Sequence, residues 1–317
     1  MRTCRLEITR GLSSLFVLLL LAACGGGGGG GGETNVSPQT PTPTLKMTIW
    51  QLPSQSSGQM MSYVVESDSG QLVVIDGGYS WDADYLETFL SGRPVDAWFI
   101  THIHSDHVNA LTELLTRHVP PPIAKVYWVE VDRSWLEAQE PLYLHGYDNF
   151  LQAVRYSGIP LRSLSKGEHV NAGGRDWEVL SGSNPELPGL NNSSLVLKVQ
   201  DPQTVLFLAD LKPESGDKLL ADNPTKLHAR VVQMSHHGNT GVRQSFYEAV
   251  HPEICLWPTT DWLWNNDSGH GYDSGPWTTL ETRQWMSAMG VQTNLVQADG
   301  LQGLILFSDG TFSVVKP

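Results

Sequence analysis

The chain has 317 residues, enough to bury a sizeable core in one large α/β domain or two small ones. Its formal charge of −13 gives an acidic surface that repels polyanions at long range and argues against a DNA-coating protein, although a bound cation pair would create its own local positive field. Three cysteines (Cys4, Cys24 and Cys255) provide no intrachain disulfide framework, and Cys255, in the apolar run 254–257, reads as a small core residue.

Met1–Arg10 is basic. Gly11–Ala23 is apolar but too short to span a bilayer comfortably, the layout of a secretory signal. The run ends Leu21-Ala22-Ala23-Cys24, which resembles a bacterial lipobox. That resemblance implies that residues 1–23 are removed and that Cys24 is acylated. Gly25–Gly32 and the Pro-, Thr- and Ser-rich stretch Glu33–Thr44 cannot bury enough apolar surface to offset ordering entropy. Residues 24–45 are therefore expected to be a tether and 46–317 the folded domain. Gly25 after the cysteine resembles lipoproteins sent to the outer membrane of Gram-negative bacteria. The expected place is the bacterial cell envelope, with the membrane met through the lipid anchor only.

Within the domain, Met47–Leu52, Met61–Glu66 and Gln71–Ile75 read as short strands separated by turn residues. Ser80–Leu90 reads as a helix with Tyr85, Leu86 and Phe89 sharing one face. Val95–Ile100 is a strand that runs into a histidine cluster, and His107–Leu115 begins a helix. Further strands are expected at Ile123–Val129, Trp177–Leu180, Ser194–Val199, Thr204–Leu208, Arg230–Met234, Ile254–Trp257, Leu301–Phe307 and Thr311–Val315. Helices are expected at Asp148–Tyr156, Gln244–Val250 and Thr278–Met289. Strand runs with helices between them suggest two sheets packed face to face with helices outside. No internal sequence repeat stands out.

The segment Thr101-His102-Ile103-His104-Ser105-Asp106-His107 holds four candidate metal ligands. In an extended stretch His102 and His104 point to the same side. The turn into the following helix presents Asp106 and His107 to a second point nearby, so one short loop can serve two cations. Imidazole and carboxylate donors suit zinc, and also manganese or iron.

This His-x-His-x-Asp-His pattern resembles the signature of the metallo-β-lactamase superfamily. Leu72–Ile75 followed by Asp76-Gly77-Gly78 resembles the early strand whose aspartate supports the metal loop. Phe207-Leu208-Ala209-Asp210 resembles the strand ending in a bridging aspartate, and Ser235-His236-His237-Gly238 the last ligand motif. The resemblance implies a four-layer αββα sandwich and two divalent metal ions. His102, His104 and Asp210 would hold the first ion; Asp106, His107, His236 and Asp210 would hold the second. His236 is taken as the ligand because it comes directly off the strand, which leaves His237 to support a ligand or face the substrate; the reverse assignment of the two stays open.

Many members of the superfamily carry one more histidine ligand before the bridging aspartate. Here that region reads Leu190-Asn191-Asn192-Ser193-Ser194. It looks like the branch containing the metallohydrolase domain of the DNA-uptake protein ComEC, which shares features with surface phosphorylcholine esterases. Asn192 either replaces the missing ligand or is a turn residue before a strand. Asp106, His237 and Asn192 are the candidate catalytic side chains.

Two cations sharing one water would lower its pKa, so that hydroxide attacks phosphorus or a carbonyl carbon. No G-x-S-x-G elbow supports a serine hydrolase. The leading expectation is a dinuclear metal-dependent hydrolase acting on phosphodiesters of the envelope or the exterior. The alternatives are an acyl hydrolase (lactam, lactone or thioester) and a non-catalytic binding lipoprotein. Nucleic acid is a less favoured substrate, since no Lys/Arg-rich stripe is present. Oligomeric state is not encoded in any feature found.

The segment Trp257–Trp277 reads as a loop, with His270, Trp262, Trp264, Tyr272 and Trp277 as candidate substrate contacts. Their rings either attract a quaternary ammonium or stack on a sugar or base, or lock the loop against the fold. Tyr143, His145 and Tyr147 read as a surface loop. His118, His169, His228 and His251 read as structural or surface histidines.

Overall fold

The computed structural model describes residues 45–317. The expected signal segment, the acylation of Cys24 and the tether as far as Thr44 lie outside the described residues.

The chain first lays down β1 (Lys46–Gln51), β2 (Ser62–Ser67), β3 (Leu72–Asp76), β4 (Val95–Ile100), β5 (Val126–Trp128) and β6 (Leu161–Ser163). It then builds a second sheet from β7 (His169–Ala172), β8 (Arg175–Ser181), β9 (Val196–Val199), β10 (Val205–Phe207), β11 (Val231–Gln233), β12 (Ile254–Trp257) and β13 (Thr293–Val296). β14 (Gln302–Phe307) and β15 (Phe312–Val315) return to the first sheet, whose order is β15-β14-β1-β2-β3-β4-β5-β6. The second runs β13-β12-β11-β10-β9-β8-β7. Both sheets begin antiparallel and turn parallel, at β3–β6 in one and β10–β13 in the other. The two halves are thus alike in topology without a visible sequence repeat.

Three apolar clusters make four layers. Ile49, Tyr63, Ile75, Phe99, Trp177, Phe207 and Leu256 belong to one cluster shared by the two sheets. On the far side of the first sheet, Val74, Trp98 and Ile100 pack against α1 (Ala83–Leu90), α2 (Ser105–Leu115) and α4 (Leu144–Ser157) through Leu86, Leu111 and Phe150. On the far side of the second, Leu206, Val232 and Trp257 pack against α5 (Pro213–Asp222), α6 (Gln244–Val250) and α8 (Thr279–Ala288) through Leu219, Phe246 and Met286. Ala97 and Phe99 face the shared core while Trp98 and Ile100 face the helices, the period-two alternation of a strand covered on both faces. The expected αββα sandwich is the fold observed.

The differences are local. The strand expected over Ile123–Val129 is regular only at Val126–Trp128, with an isolated bridge from Ile123 to Val95. α3 (Arg133–Gln139), α5, β6, β7 and β13 were not expected. α5 carries few apolar residues, and only Ser215, Gly216 and Leu219 are buried. Gly216 is required there, because a Cβ would sit 2.7 Å from Val242 Cγ1. The parallel strands all end at one edge, so the segments after β3, β4, β10, β11 and β12 converge. In open α/β sheets that carboxyl edge is where ligands bind.

Candidate metal centre

Asp76 ends β3 in a left-handed conformation (φ 55°) and is fully buried. Its Oδ1 accepts from the Thr101 amide at 2.8 Å, and its Oδ2 accepts from Thr101 Oγ1 at 2.7 Å. His107 Nδ1, 2.7 Å from the same Oδ2, donates to it. A proton held on Nδ1 leaves Nε2 as a lone pair aimed inward. His102 is fixed from the same point, its Nδ1 lying 3.2 Å from Thr101 Oγ1. One carboxylate and one hydroxyl thus set the ring orientation of two histidines.

His104 is the N-cap of α2. Its Nε2 donates to Glu140 Oε2 at 3.0 Å, while Glu140 Oε1 accepts from the Leu190 amide. His104 also packs on Tyr143, ring centroids 4.2 Å apart.

The second sheet contributes Asp210 and His237. Buried Gln233, the last residue of β11, accepts from the amides of Leu208 and Ala209 at 2.8 and 2.6 Å. Its Nε2 donates to the carbonyls of Ala209 and Met234. Gln233 therefore stitches together the two strand ends that carry the site. His236 and His237 both have left-handed backbones (φ 49° and 57°). This is strain of the kind stored where side-chain placement matters. Gly238 completes the turn, since a Cβ there would lie 2.6 Å from Trp257. His237 Nδ1 donates to the Pro258 carbonyl at 2.7 Å, which again leaves Nε2 facing in.

The inward atoms meet. One donor atom from each of Asp106, His107, Asp210 and His237 lies within 4.8 Å of the others. His237 Nε2 is 3.2 Å from Asp106 Oδ2 and 3.4 Å from Asp210 Oδ2, and His107 Nε2 is 3.3 Å from Asp210 Oδ2. His102 Nε2 lies 4.0 Å from the same oxygen. Yet Nε2 of His102, His107 and His237 and Oδ1 of Asp210 are buried without any hydrogen bond. Buried polar atoms seldom go unpartnered, and four in one spot, all with lone pairs available, are the donor set of a cation cage.

The electrostatics agree. Burial resists charge on His237, but Asp210 and Asp106 override it and push its pKa up to about 10. His107 is likewise held well above the usual histidine range against burial, by Asp210, Asp76 and Asp106. Burial would raise Asp210, yet His237 and His107 hold it well below the carboxylate range. Burial, with His107 and His104 nearby, keeps His102 neutral. The carboxylates thus demand positive charge among the imidazoles, and a divalent cation supplies it through donors that hydrogen bonds leave free.

The sequence signature of the metallo-beta-lactamase superfamily matches residues 58–277. The chain belongs to this superfamily. It is similar to ComE operon protein 3 of Bacillus subtilis (strain 168), 24% identical over 183 residues, or 56% of this chain and 22% of that protein. It is also similar to the uncharacterized protein YcaI of Escherichia coli (strain K12), 24% identical over 216 residues, or 65% of this chain and 25% of that protein. The chain therefore spans a quarter or less of the length of these relatives. Among solved structures, CmlA, a diiron β-hydroxylase from Streptomyces venezuelae, matches with a TM-score of 0.53 at 13% identity, over 84% of this chain and 55% of that one. YhfI of B. subtilis matches with a TM-score of 0.51 at 11% identity, over 80% and 98%. At such identities the likeness carries the superfamily fold.

Two assignments need correction. His237, not His236, enters the cluster. The turn of left-handed residues swings His236 outward, where Nδ1 donates to the Asn239 carbonyl. Asn192 has no lone pair to offer a metal. Its Oδ1 accepts from the Ser215 amide and hydroxyl at 3.2 and 2.8 Å, and its Nδ2 donates to the Pro188 carbonyl at 2.8 Å. It braces the turn before β9 against α5.

The aromatic segment also differs from expectation. Asp261–Trp264 forms a short helix, α7. Trp264 packs edge-on to Trp257 and under Arg283. With Tyr272 it lines a separate cavity of about 350 Å³ that includes no cluster side chain. Trp262 pairs edge-on with Trp277 at 4.6 Å and donates to the Ser57 carbonyl, locking the loop down. His270 is exposed at the loop tip. Tyr143, expected in a surface loop, lies against His104, and Tyr147 is buried in α4.

Sequence reasoning missed Glu140, Gln233 and Thr101, none of which lies in a metal-ligand pattern. Glu140→Ala is expected to weaken metal retention about 10- to 100-fold, read by chelator competition; unchanged retention would remove Glu140 from the site. Gln233→Leu strands two buried amides and is expected to cost about 2–4 kcal/mol of stability, read from urea unfolding. A loss within error would show that the stitch is dispensable.

Proposed function

We propose that this protein is a dinuclear metal-dependent hydrolase that prefers phosphodiesters and works at the bacterial envelope, anchored through Cys24. The observation that carries the reading is the convergence of unpartnered, buried nitrogens and carboxylates on one point, with the ring protons of His107 and His237 turned outward. Asp106, His107, His237 and Asp210 would hold one ion; His102 and His104, with Asp210, would hold the other. Zinc suits this donor set, and manganese or iron would also fit. When bound, the ions supply Lewis acidity that acidifies water and offsets negative charge developing on the substrate.

The chain's own residues do the rest. Asp76 and the Pro258 carbonyl hold the rings of His107 and His237 in the binding tautomer. Tyr143, packed on His104, carries a phenol that would donate to a substrate oxygen. With Asn192 committed elsewhere, the His102–His104 side offers two imidazoles and a share of Asp210, which would leave positions open to phosphate oxygens. This favours a diester over a lactam or lactone.

The test is a substrate panel on the purified protein: an aryl phosphodiester, a phosphorylcholine ester, single-stranded DNA, a β-lactam and a lactone. Turnover of the acyl substrates alone would overturn the phosphodiester preference. Chelation is expected to abolish activity and lower the melting temperature, with both restored by zinc; chelator-resistant turnover would contradict a metal hydrolase. Cys24→Ala is expected to move the protein from the membrane fraction to the soluble one, and an unchanged distribution would refute the anchor.

A further inference from the structure

Lys212 follows Asp210 by two residues and is half-buried at the N-cap of α5. Four of the eight lysines sit in ion pairs, Lys166 with Asp222, Lys218 with Glu186, Lys226 with Glu178 and Lys316 with Asp299, while Lys198 Nζ donates to the Lys226 carbonyl and Lys125 lies over the Tyr127 ring. Lys212 has no ion-pair partner among the described residues. Its ammonium donates to a neutral oxygen, Thr240 Oγ1, at 3.0 Å. The same Oγ1 lies 3.2 Å from His236 Nδ1. Thr240 is itself left-handed (φ 50°), a costly conformation for a β-branched residue. Its amide is tied down by Thr278 Oγ1 at 2.8 Å. A strained threonine, itself within reach of His236 Nδ1, thus holds the ammonium of a residue two positions after Asp210, with donor protons to spare.

We propose that Lys212, aligned by Thr240, is the anion-recognising residue of this centre and binds a charged non-bridging oxygen of the substrate. The inference deepens the phosphodiester reading and takes its substrate class from it. An ammonium carries three donors, and only one is engaged here. A charge-assisted hydrogen bond in a partly desolvated site is stronger than one between neutral groups. The ammonium would therefore select a singly charged diester over a neutral ester of similar size.

The experiment uses the metal-loaded full-length protein in detergent, with metal content measured for every variant. Inorganic phosphate binding is followed by calorimetry. Hydrolysis is followed with an aryl phosphodiester and a neutral aryl acetate. Lys212→Gln is expected to lower phosphate affinity and diester kcat/KM about 10- to 100-fold, mainly through KM, with a clearly smaller loss on the acetate. Lys212→Arg should recover much of the phosphate affinity. Thr240→Val, which keeps the charge and loosens its alignment, should give the same pattern at smaller size. Equal losses on the charged and neutral substrates, or phosphate affinity unchanged in Lys212→Gln at full metal content, would overturn the proposal. Lys212-dependent phosphate binding without diester turnover would uphold Lys212 and sink the phosphodiesterase reading instead.

Discussion

Replacing His237 by alanine is expected to cost one of the two metal ions proposed for this centre and reduce the proposed hydrolysis by about three orders of magnitude or more. Alanine at His236 should leave the metal count unchanged. The two neighbours differ in what their rings reach. His237 is fully buried, its outer nitrogen held by the Pro258 carbonyl and its inner one within 3.4 Å of two carboxylates. His236 spends its Nδ1 on the Asn239 carbonyl, outside the cluster. Metal analysis of both variants, alongside turnover, separates the assignments. Loss of a metal in the His236 variant, with His237→Ala keeping both, would reverse the reading of this turn.

Asp76→Asn is expected to lower activity by about 10²- to 10⁴-fold while leaving the fold intact, by analogy with the effect of a wrong tautomer elsewhere. The amide keeps one oxygen for the Thr101 backbone. Its NH2 group would then face Thr101 Oγ1 and His107 Nδ1, where the carboxylate now accepts. A donor facing Nδ1 drives the histidine proton to Nε2, which points at Asp210. The ring stays in place with its lone pair on the wrong side. Metal affinity should fall with activity, and near-ultraviolet circular dichroism should be unchanged. Wild-type metal affinity in this variant would show that Asp76 does not control the tautomer.

The strand that ends in Ile100 and the helix after it were legible because both faces of that strand are covered and its six residues are nearly all apolar. The ligand-bearing loop was legible for a related reason: imidazoles and a carboxylate crowded into one short turn at a strand end have little use except to hold cations. Asp210 drew attention through its place at the end of an apolar run. The His236–His237 choice was not legible. Coming directly off a strand says which residue arrives first, but two successive left-handed residues turn the backbone so that the second arrives at the centre. No side-chain pattern announces that turn except Gly238, and a glycine by itself does not say which way the ring before it points.

Glu140 and Gln233 were invisible for another reason. Their partners lie 36 residues away at His104 and 24 to 25 residues away at Ala209 and Leu208, and the contacts exist only once the layers are stacked. The same holds for Asn192, whose carboxamide is engaged by Ser215 of a helix, α5, that has few apolar residues. The aromatic segment misled because tryptophan serves packing and recognition alike. Trp264 and Trp262 both found protein partners.

Crystals of the zinc-loaded protein, with anomalous differences recorded on both sides of the zinc absorption edge, test the central claim most directly. The expected result is two peaks about 3.5–4 Å apart, one enclosed by Asp106, His107 and His237, the other beside His102 and His104, with Asp210 reaching both. A single peak away from these side chains, or His102 and His104 turned from any metal, would contradict it.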